Sequence, residues 1–113
     1  PGGLADLVAD GAVAPLNLPM LLLTGDADLV PGAVTDWRDH LSPYEGGPAA
    51  GRMAWIGKGV DHGLAARALT DPMAAKAAAW SVPFLDANLL GDAAAKTRLA
   101  ATDSTADAEI RRR

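Results

Sequence analysis

The sequence predicts an α/β fold built on a parallel sheet, and three observations favour that class. Two short apolar segments, residues 20–24 and 52–56, each end at a glycine, as strands buried on both faces do. A segment with helical spacing or a helix cap follows each of them. Half of the 113 residues are apolar, with alanine prominent among them, which favours closely packed helices on the sheet.

The first helix is predicted between the two strands. Pro31 suits the first turn of a helix that extends to Leu41. Residues 42–51 are rich in proline and glycine and are predicted to form a loop. Residues 1–19 hold one short amphipathic stretch between glycines and prolines, and we interpret them as a lead-in segment.

A longer helix is predicted after the second strand. Thr70 or Asp71 supplies its N-cap, Pro72 occupies its first position, and Gly91 ends it. Pro83 lies inside this segment, where the missing amide hydrogen should kink or divide the helix.

The end of the chain completes the predicted organisation. Residues 92–100 form a final short helix, and residues 101–113 are predicted to be a frayed polar tail. The domain proper therefore spans residues 20–100. Because two strands do not make a stable sheet by themselves, we expect further strands from a missing N-terminal part or from a partner chain.

Composition and charge exclude several classes of function. The chain has 10 Lys and Arg residues against 14 Asp and Glu residues, and this net charge of −4 argues against a nucleic-acid partner. It has no cysteine, which excludes disulfides and thiolate metal sites. No segment is apolar over the length of a membrane span. The chain begins at Pro1 without a signal peptide, so we expect either processing or an upstream segment, and the localisation is unknown.

Polar residues follow both predicted strands at the edge where open parallel sheets bind ligands. Asp28 follows the first strand, and His62 follows the second. A carboxylate that orients an imidazole is the general-base half of a nucleophilic triad. Gly59 and Gly63 beside His62 would let its loop turn sharply and present the ring outward. We therefore expect Asp28 and His62 to meet in space.

These motifs resemble a known family. The stretches "PMLLLTGDADLVP" and "GRMAWIGKGVDHGLA" are similar to the last two core strands of an α/β-hydrolase. The closing stretch "VPFLDANLLGDAAAKTRLA" is similar to the last helices of dienelactone-hydrolase-like and acetylhydrolase-like esterases, so the resemblance covers residues 18–100. It implies that Asp28 is the acid and His62 the histidine of a Ser-Asp-His triad. It also implies a small-molecule ester or related acyl substrate, with no metal and no organic cofactor.

The nucleophile of that family does not occur in this sequence. The resemblance implies the chain order serine, acid, histidine, with the serine on a G-x-S-x-G turn. The three serines, Ser42, Ser81 and Ser104, all follow Asp28 and lack the flanking glycines. The resemblance therefore implies the C-terminal portion of a hydrolase that is inactive alone. Esterase, lipase, lactonase, peptidase and haloalkane-type chemistry are not distinguished.

Simpler interpretations exist for each of these residues. Asp28 can cap a loop, and Asp26 is interpreted as a turn-forming residue that bonds the backbone, with the acid role as its alternative. His62 can be a surface histidine, and Asp61 beside it is interpreted as solvated. His40 lies near the end of the predicted first helix, where the helix dipole favours a cation, and is interpreted as structural.

Two other functions remain open. The chain can be a non-catalytic α/β module that pairs through its sheet edge with a partner. Alternatively, Asp26 and Asp28 form a D-x-D metal site. An EF-hand is excluded, because Val30 stands where the loop needs an oxygen ligand.

Overall fold

Three strands and three α-helices make up most of the computed structural model, which describes residues 15–49, 51–67 and 70–113. The elements, in chain order, are β1 (Met20–Ala27), a 3₁₀ helix (Trp37–Leu41), α1 (Ser42–Glu45), β2 (Arg52–Asp61), a 3₁₀ turn (Ala65–Arg67), α2 (Pro72–Leu89), α3 (Ala93–Ala101) and β3 (Ala108–Arg112). Residues 1–14 of the predicted lead-in segment lie outside the described residues.

The sheet has the order β1-β2-β3 and is mixed. β1 and β2 are parallel, with Leu21 opposite Met53 and Leu23 opposite Trp55, so the predicted parallel pair is confirmed. β3 runs antiparallel to β2. The chain therefore has an α/β architecture, although its sheet is not parallel throughout.

The prediction that residues 101–113 form a frayed polar tail is wrong. Ala108 pairs with Gly57 and Ile110 with Trp55, which places β3 along the outer edge of β2. Ala108 is buried because it packs into the apolar cluster under α2. The third strand of the sheet thus comes from this chain, and within the described residues β1 has β2 as its single strand neighbour.

Apolar residues cover both faces of the sheet, as its buried strands require. On one face, α1 and the first 3₁₀ helix pack over Ala54 and Ile56. On the other face, α2 and α3 pack over Met53 and Trp55. Small residues let the helices approach closely, and the buried alanines on this face include Ala77, Ala87 and Ala95.

The predicted helix from Pro31 to Leu41 does not form. Val34 instead folds back on Val30 in an isolated bridge, and only the segment from Trp37 coils, as a 3₁₀ helix. Its N-cap is Asp36, whose carboxylate accepts a hydrogen bond from the amide of Arg38. The predicted loop that follows is also partly helical, because α1 occupies its first four residues.

The long helix α2 begins as predicted and continues through Pro83. Asp71 is its N-cap and accepts a hydrogen bond of 2.8 Å from the amide of Met73. The expected division at Pro83 is absent from the described helix, because Ala77 before it and Ala87 after it are both buried against the sheet. No helix in the described ranges is long and apolar enough to cross a bilayer.

Candidate functional site

Asp28 and His62 meet beyond the carboxyl ends of β1 and β2. Asp28 directly follows β1, His62 directly follows β2, and the Oδ1 of Asp28 lies 2.8 Å from the Nδ1 of His62. Asp28 is 8% exposed, whereas the His62 side chain is 63% exposed. The predicted meeting of these two residues is therefore confirmed.

An irregularity in β2 brings the two residues level with each other. Up to Gly25 the strands pair in a constant register, with Gly57 as the partner of Gly25. Ala27 then pairs with Asp61 rather than with Gly59, so β2 contains two extra residues at this point. Asp28 and His62 directly follow this last pair, one on each strand. If this sequence kept an unbroken register, Asp28 would instead lie opposite Val60, two residues before His62.

Glycines and one carboxylate hold the bulge in place. A Cβ on Gly25 would overlap the carbonyl of Val60, so a side chain at this position is excluded. Gly59 has a φ of +66°, which a side chain would strain. The amide of Gly59 donates a hydrogen bond of 2.6 Å to the Oδ1 of Asp26. Asp26 therefore bonds the backbone, as predicted, and it does so across the two strands.

Thr24 fixes the orientation of the Asp28 carboxylate. Its buried hydroxyl donates a hydrogen bond of 2.8 Å to the Oδ2 of Asp28. The amide of Asp28 also bonds the carbonyl of Gly25. Because Oδ2 is taken by Thr24, Oδ1 is left to face His62. Thr24 was not predicted as a site residue, although a hydroxyl four residues before the acid in a buried strand is a recognisable signal.

His40 is the third side chain at this carboxylate, a position that was not predicted from the sequence. Its side chain is 12% exposed, and its Nε2 lies 3.1 Å from the Oδ1 of Asp28. The ring nitrogen is not aligned for a hydrogen bond, so Nε2 has no hydrogen-bond partner within the described residues. The rings of His40 and His62 have centroids 5.8 Å apart and planes 18° apart. His40 does lie in the last turn of a helix, as predicted, but that helix is a 3₁₀ helix and the ring also stands beside Asp28.

A charged network ties the His62 loop to the start of α2. Asp61 accepts hydrogen bonds from Arg67, at 2.7 Å, and from the amide of Gly63, at 2.8 Å. The Arg67 hydrogen bond and then the Gly63 amide lower the pKa of Asp61 below its ordinary 3.8. Arg67 also donates a hydrogen bond of 3.1 Å to Asp71, the N-cap of α2. Asp61, interpreted as solvated, is exposed but engaged in this network.

A cavity of about 350 Å³ opens beside the pair. Asp28 and His62 border it on one side, and small residues of α2, among them Ala77 and Ser81, border it on the other. Ser81 is the serine that lines this space, yet no hydrogen bond joins it to His62 within the described residues. The cavity has room for a small acyl group beside the imidazole.

Two kinds of chemistry are open to this arrangement. An imidazole held by a carboxylate acts as a general base. Two imidazoles and a carboxylate also form a common ligand set for a divalent metal, and Asp28, His40 and His62 are grouped closely enough for one ion. Asp26 does not belong to that group. Comparison of the chain with protein-family models, curated proteins and solved structures finds no match.

Proposed function

We propose that this chain supplies the acid and the histidine of a serine-hydrolase triad that cleaves carboxylic esters or related acyl compounds. The observation that carries the proposal is the 2.8 Å contact between the Oδ1 of Asp28 and the Nδ1 of His62. In this proposal the chain is the C-terminal portion of an α/β-hydrolase fold. A serine on another segment or a partner chain completes the triad.

The tautomer of His62 is what makes this contact useful. When Nδ1 carries the proton and donates a hydrogen bond to Asp28, Nε2 has a free lone pair. Nε2 then takes the proton of the serine hydroxyl as the serine oxygen attacks the acyl carbon. It returns that proton to the departing alcohol oxygen, which leaves an acyl-enzyme. Water repeats the same two steps and releases the acid. The exposed ring of His62 is accessible to an incoming hydroxyl.

The surroundings of the pair support a positioning role for the fold. Thr24 holds the other carboxylate oxygen of Asp28, so this group faces His62 in one orientation. Asp61 and Arg67 hold the loop that carries His62 against the start of α2. Preorganised groups of this kind lower the cost of orientation during the reaction.

The nucleophile in this proposal lies outside the 113 residues. Ser42 has a buried hydroxyl without a hydrogen-bond partner in the described part, and Ser104 accepts a hydrogen bond from the amide of Ile110. Ser81 lines the cavity but stands on the face of α2 rather than on a strand-to-helix turn. The donors of an oxyanion hole are likewise assigned to the absent segment.

The test uses the polypeptide encoded by the complete gene in which this sequence occurs. Treatment with a fluorophosphonate, followed by peptide mass spectrometry, should label one serine outside the 113 residues. Hydrolysis of p-nitrophenyl acetate should fall by about 10³-fold or more in His62→Ala. Asp107→Asn is the matched control, because this exposed carboxylate pairs with Lys76 and lies away from the cavity.

Three results would contradict the proposal. One is a label on Ser42, Ser81 or Ser104. Another is full activity in His62→Ala. The third comes from the isolated chain, in which NMR of the imidazole nitrogens should show His62 protonated at Nδ1; protonation at Nε2 in the neutral ring would leave no base.

The free edge of β1 favours a second candidate, a non-catalytic module that pairs with a partner. Within the described residues β1 bonds only β2, and Leu16, Leu18 and Leu23 lie exposed on or just before it. An exposed strand edge of this kind binds another strand. Size-exclusion chromatography of the isolated chain separates the two candidates: a well-folded, inactive monomer counts against the hydrolase fragment and favours the module.

A further inference from the structure

We propose that Asp28, His40 and His62 form a binding site for a single Zn²⁺ ion. The three side chains each present one ligand atom, and these atoms all lie within 4.8 Å of one another. The inference goes beyond the proposed hydrolase function and does not depend on it, because it needs only these three side chains.

Two of the three distances between ligand atoms are close to those of a zinc site, and the third, between the two ring nitrogens, is at most 4.8 Å. The Nε2 of His40 and the Nδ1 of His62 lie 3.1 Å and 2.8 Å from the same oxygen of Asp28. Ligand atoms about 2.0–2.1 Å from a tetrahedral Zn²⁺ are about 3.3 Å apart. Each histidine would thus move away from Asp28 by a few tenths of an ångström to admit the ion. The His40 ring would also rotate to direct its nitrogen at the ion.

The proton relay does not explain why His40 lies beside Asp28, whereas a metal site does. A relay needs one imidazole on the carboxylate, and His62 fills that role. The Nε2 of His40 is buried next to Asp28 without a hydrogen-bond partner in the described ranges. Burying an unpaired ring nitrogen costs free energy. Coordination to a metal ion would satisfy that nitrogen and neutralise the shared carboxylate at the same time.

The donor set selects zinc among the common ions. Ca²⁺ and Mg²⁺ prefer oxygen ligands only, whereas two imidazoles with one carboxylate suit Zn²⁺. Three protein ligands leave a fourth position for water or a small molecule. The cavity of about 350 Å³, which Asp28 and His62 border, would provide room for that fourth ligand.

Thr24 would support the metal ligand as it supports the acid. Its hydroxyl bonds the Oδ2 of Asp28 at 2.8 Å, which leaves Oδ1 for the ion. Outer partners of this kind fix the orientation of a ligating carboxylate. The carboxylate therefore needs no rearrangement to change from an imidazole partner to a metal partner.

The site has a consequence for the proposed hydrolase. In the zinc-bound state the Nδ1 of His62 is a metal ligand and carries no proton for Asp28. Zinc binding and the relay therefore exclude each other, and Zn²⁺ should inhibit ester hydrolysis. This consequence, unlike the site itself, rests on the proposed function.

The isolated chain, freed of metal by a chelator, allows a direct test with ZnCl₂. Isothermal titration should show one Zn²⁺ per chain with a Kd of about 1 μM or tighter. Co²⁺ in place of zinc should give the visible absorption of a tetrahedral site. His40→Asn and Asp28→Asn should each weaken binding by about 10-fold or more, because each removes a ligand. Asp107→Asn, which changes an exposed carboxylate paired with Lys76, should bind as the wild type does.

The outcomes separate this proposal from the hydrolase. Circular dichroism first shows that each variant is folded, and imidazole NMR of the wild type shows whether His40 and His62 respond to the ion. Absence of binding at about 100 μM Zn²⁺ overturns the zinc site. Binding that His40→Asn leaves unchanged also overturns it. If either of these results is found together with ester hydrolysis, the zinc site is wrong and the relay stands. If zinc binds tightly but the protein has no esterase activity, the relay is wrong and the zinc site stands.

Discussion

The two ends of the β1–β2 pair both bury a charged side chain, but they satisfy it differently. At the amino end, Arg52 is 1% exposed and its guanidinium donates hydrogen bonds to the carbonyl oxygens of Leu16 and Pro43. At the carboxyl end, the Oδ1 of Asp28 lies close to a ring nitrogen of His40 and to a ring nitrogen of His62. Main-chain carbonyls have fixed positions and do not titrate, whereas imidazoles change protonation and bind metals. We therefore expect Arg52 to serve the stability of the fold and Asp28 to serve the proposed chemistry.

The largest expected effect separates the two ends by activity. Under the proposed function, Asp28→Asn in the polypeptide that carries the serine should lower kcat for p-nitrophenyl acetate by about 10⁴-fold. The new amide donates to His62 instead of accepting, which favours the tautomer without a free Nε2 lone pair. Steady-state kinetics measure the loss, and imidazole NMR measures the tautomer. If Asp28→Asn keeps its activity, Asp28 has no chemical role that distinguishes it from Arg52.

The next effect concerns stability at the opposite end. Arg52→Met keeps most of the side-chain stem but removes the donors to two carbonyl oxygens. We expect the free energy of unfolding to fall by about 3 kcal/mol, because hydrogen bonds from a charged group are lost in a buried site. Urea denaturation measures it. The His62 tautomer should stay as in the wild type, and a changed tautomer would show that the two ends are coupled.

A third effect tests the bulge that aligns the site. Gly25→Ala would place a methyl group on the carbonyl of Val60, which is backbone and cannot turn away. We expect a loss of about 2 kcal/mol and a weakened contact between Asp28 and His62.

Gly32→Ala is the matched control for that change. Gly32 has a φ of +79° but open space around it, so its substitution should cost only about 1 kcal/mol of backbone strain. The His62 spectrum should not change in this control. Equal spectra in Gly25→Ala and Gly32→Ala would contradict the role given to the bulge.

The smallest effect is the pH dependence of the loop network. The pKa of Asp61 is lowered in the folded state by Arg67 and then by the amide of Gly63. A lowered carboxyl pKa stabilises the fold above the unfolded value of 3.8, and this stabilisation is lost as the pH falls through the folded pKa. Asp61→Asn should therefore lower Tm at neutral pH, and the difference from the wild type should disappear in acid. About 1 M salt should also shrink the difference, because the pair is exposed.

The sequence predicted the elements whose signals are local. Apolar runs that end at glycine located β1 and β2, and Asp71 with Pro72 located the start of α2. The placement of Asp28 and His62 followed, since the carboxyl ends of neighbouring parallel strands lie at one edge. Their contact at 2.8 Å bears out that reasoning.

What the sequence did not predict depends on contacts distant along the chain. In β3 only Ala108 and Ile110 face the apolar cluster. The charged residues between and after them led to the prediction of a polar tail. Such charges are typical of an edge strand. The position of His40 beside Asp28 was not predicted, because the spacing indicated a regular α-helix. Its segment instead forms a 3₁₀ helix in which Leu41 is buried. A 3₁₀ turn directs side chains differently from an α-helix.

The number of residues in the β2 bulge determines the face of the sheet on which the His62 side chain lies. Because side chains alternate between the faces of a strand, removing one residue from "GKGV" would turn the imidazole to the opposite side of the sheet. Removing two would flatten the strand and leave the imidazole level with Asp28. Natural or engineered length variation at this position should therefore be tolerated in steps of two residues and abolish the histidine's alignment in steps of one.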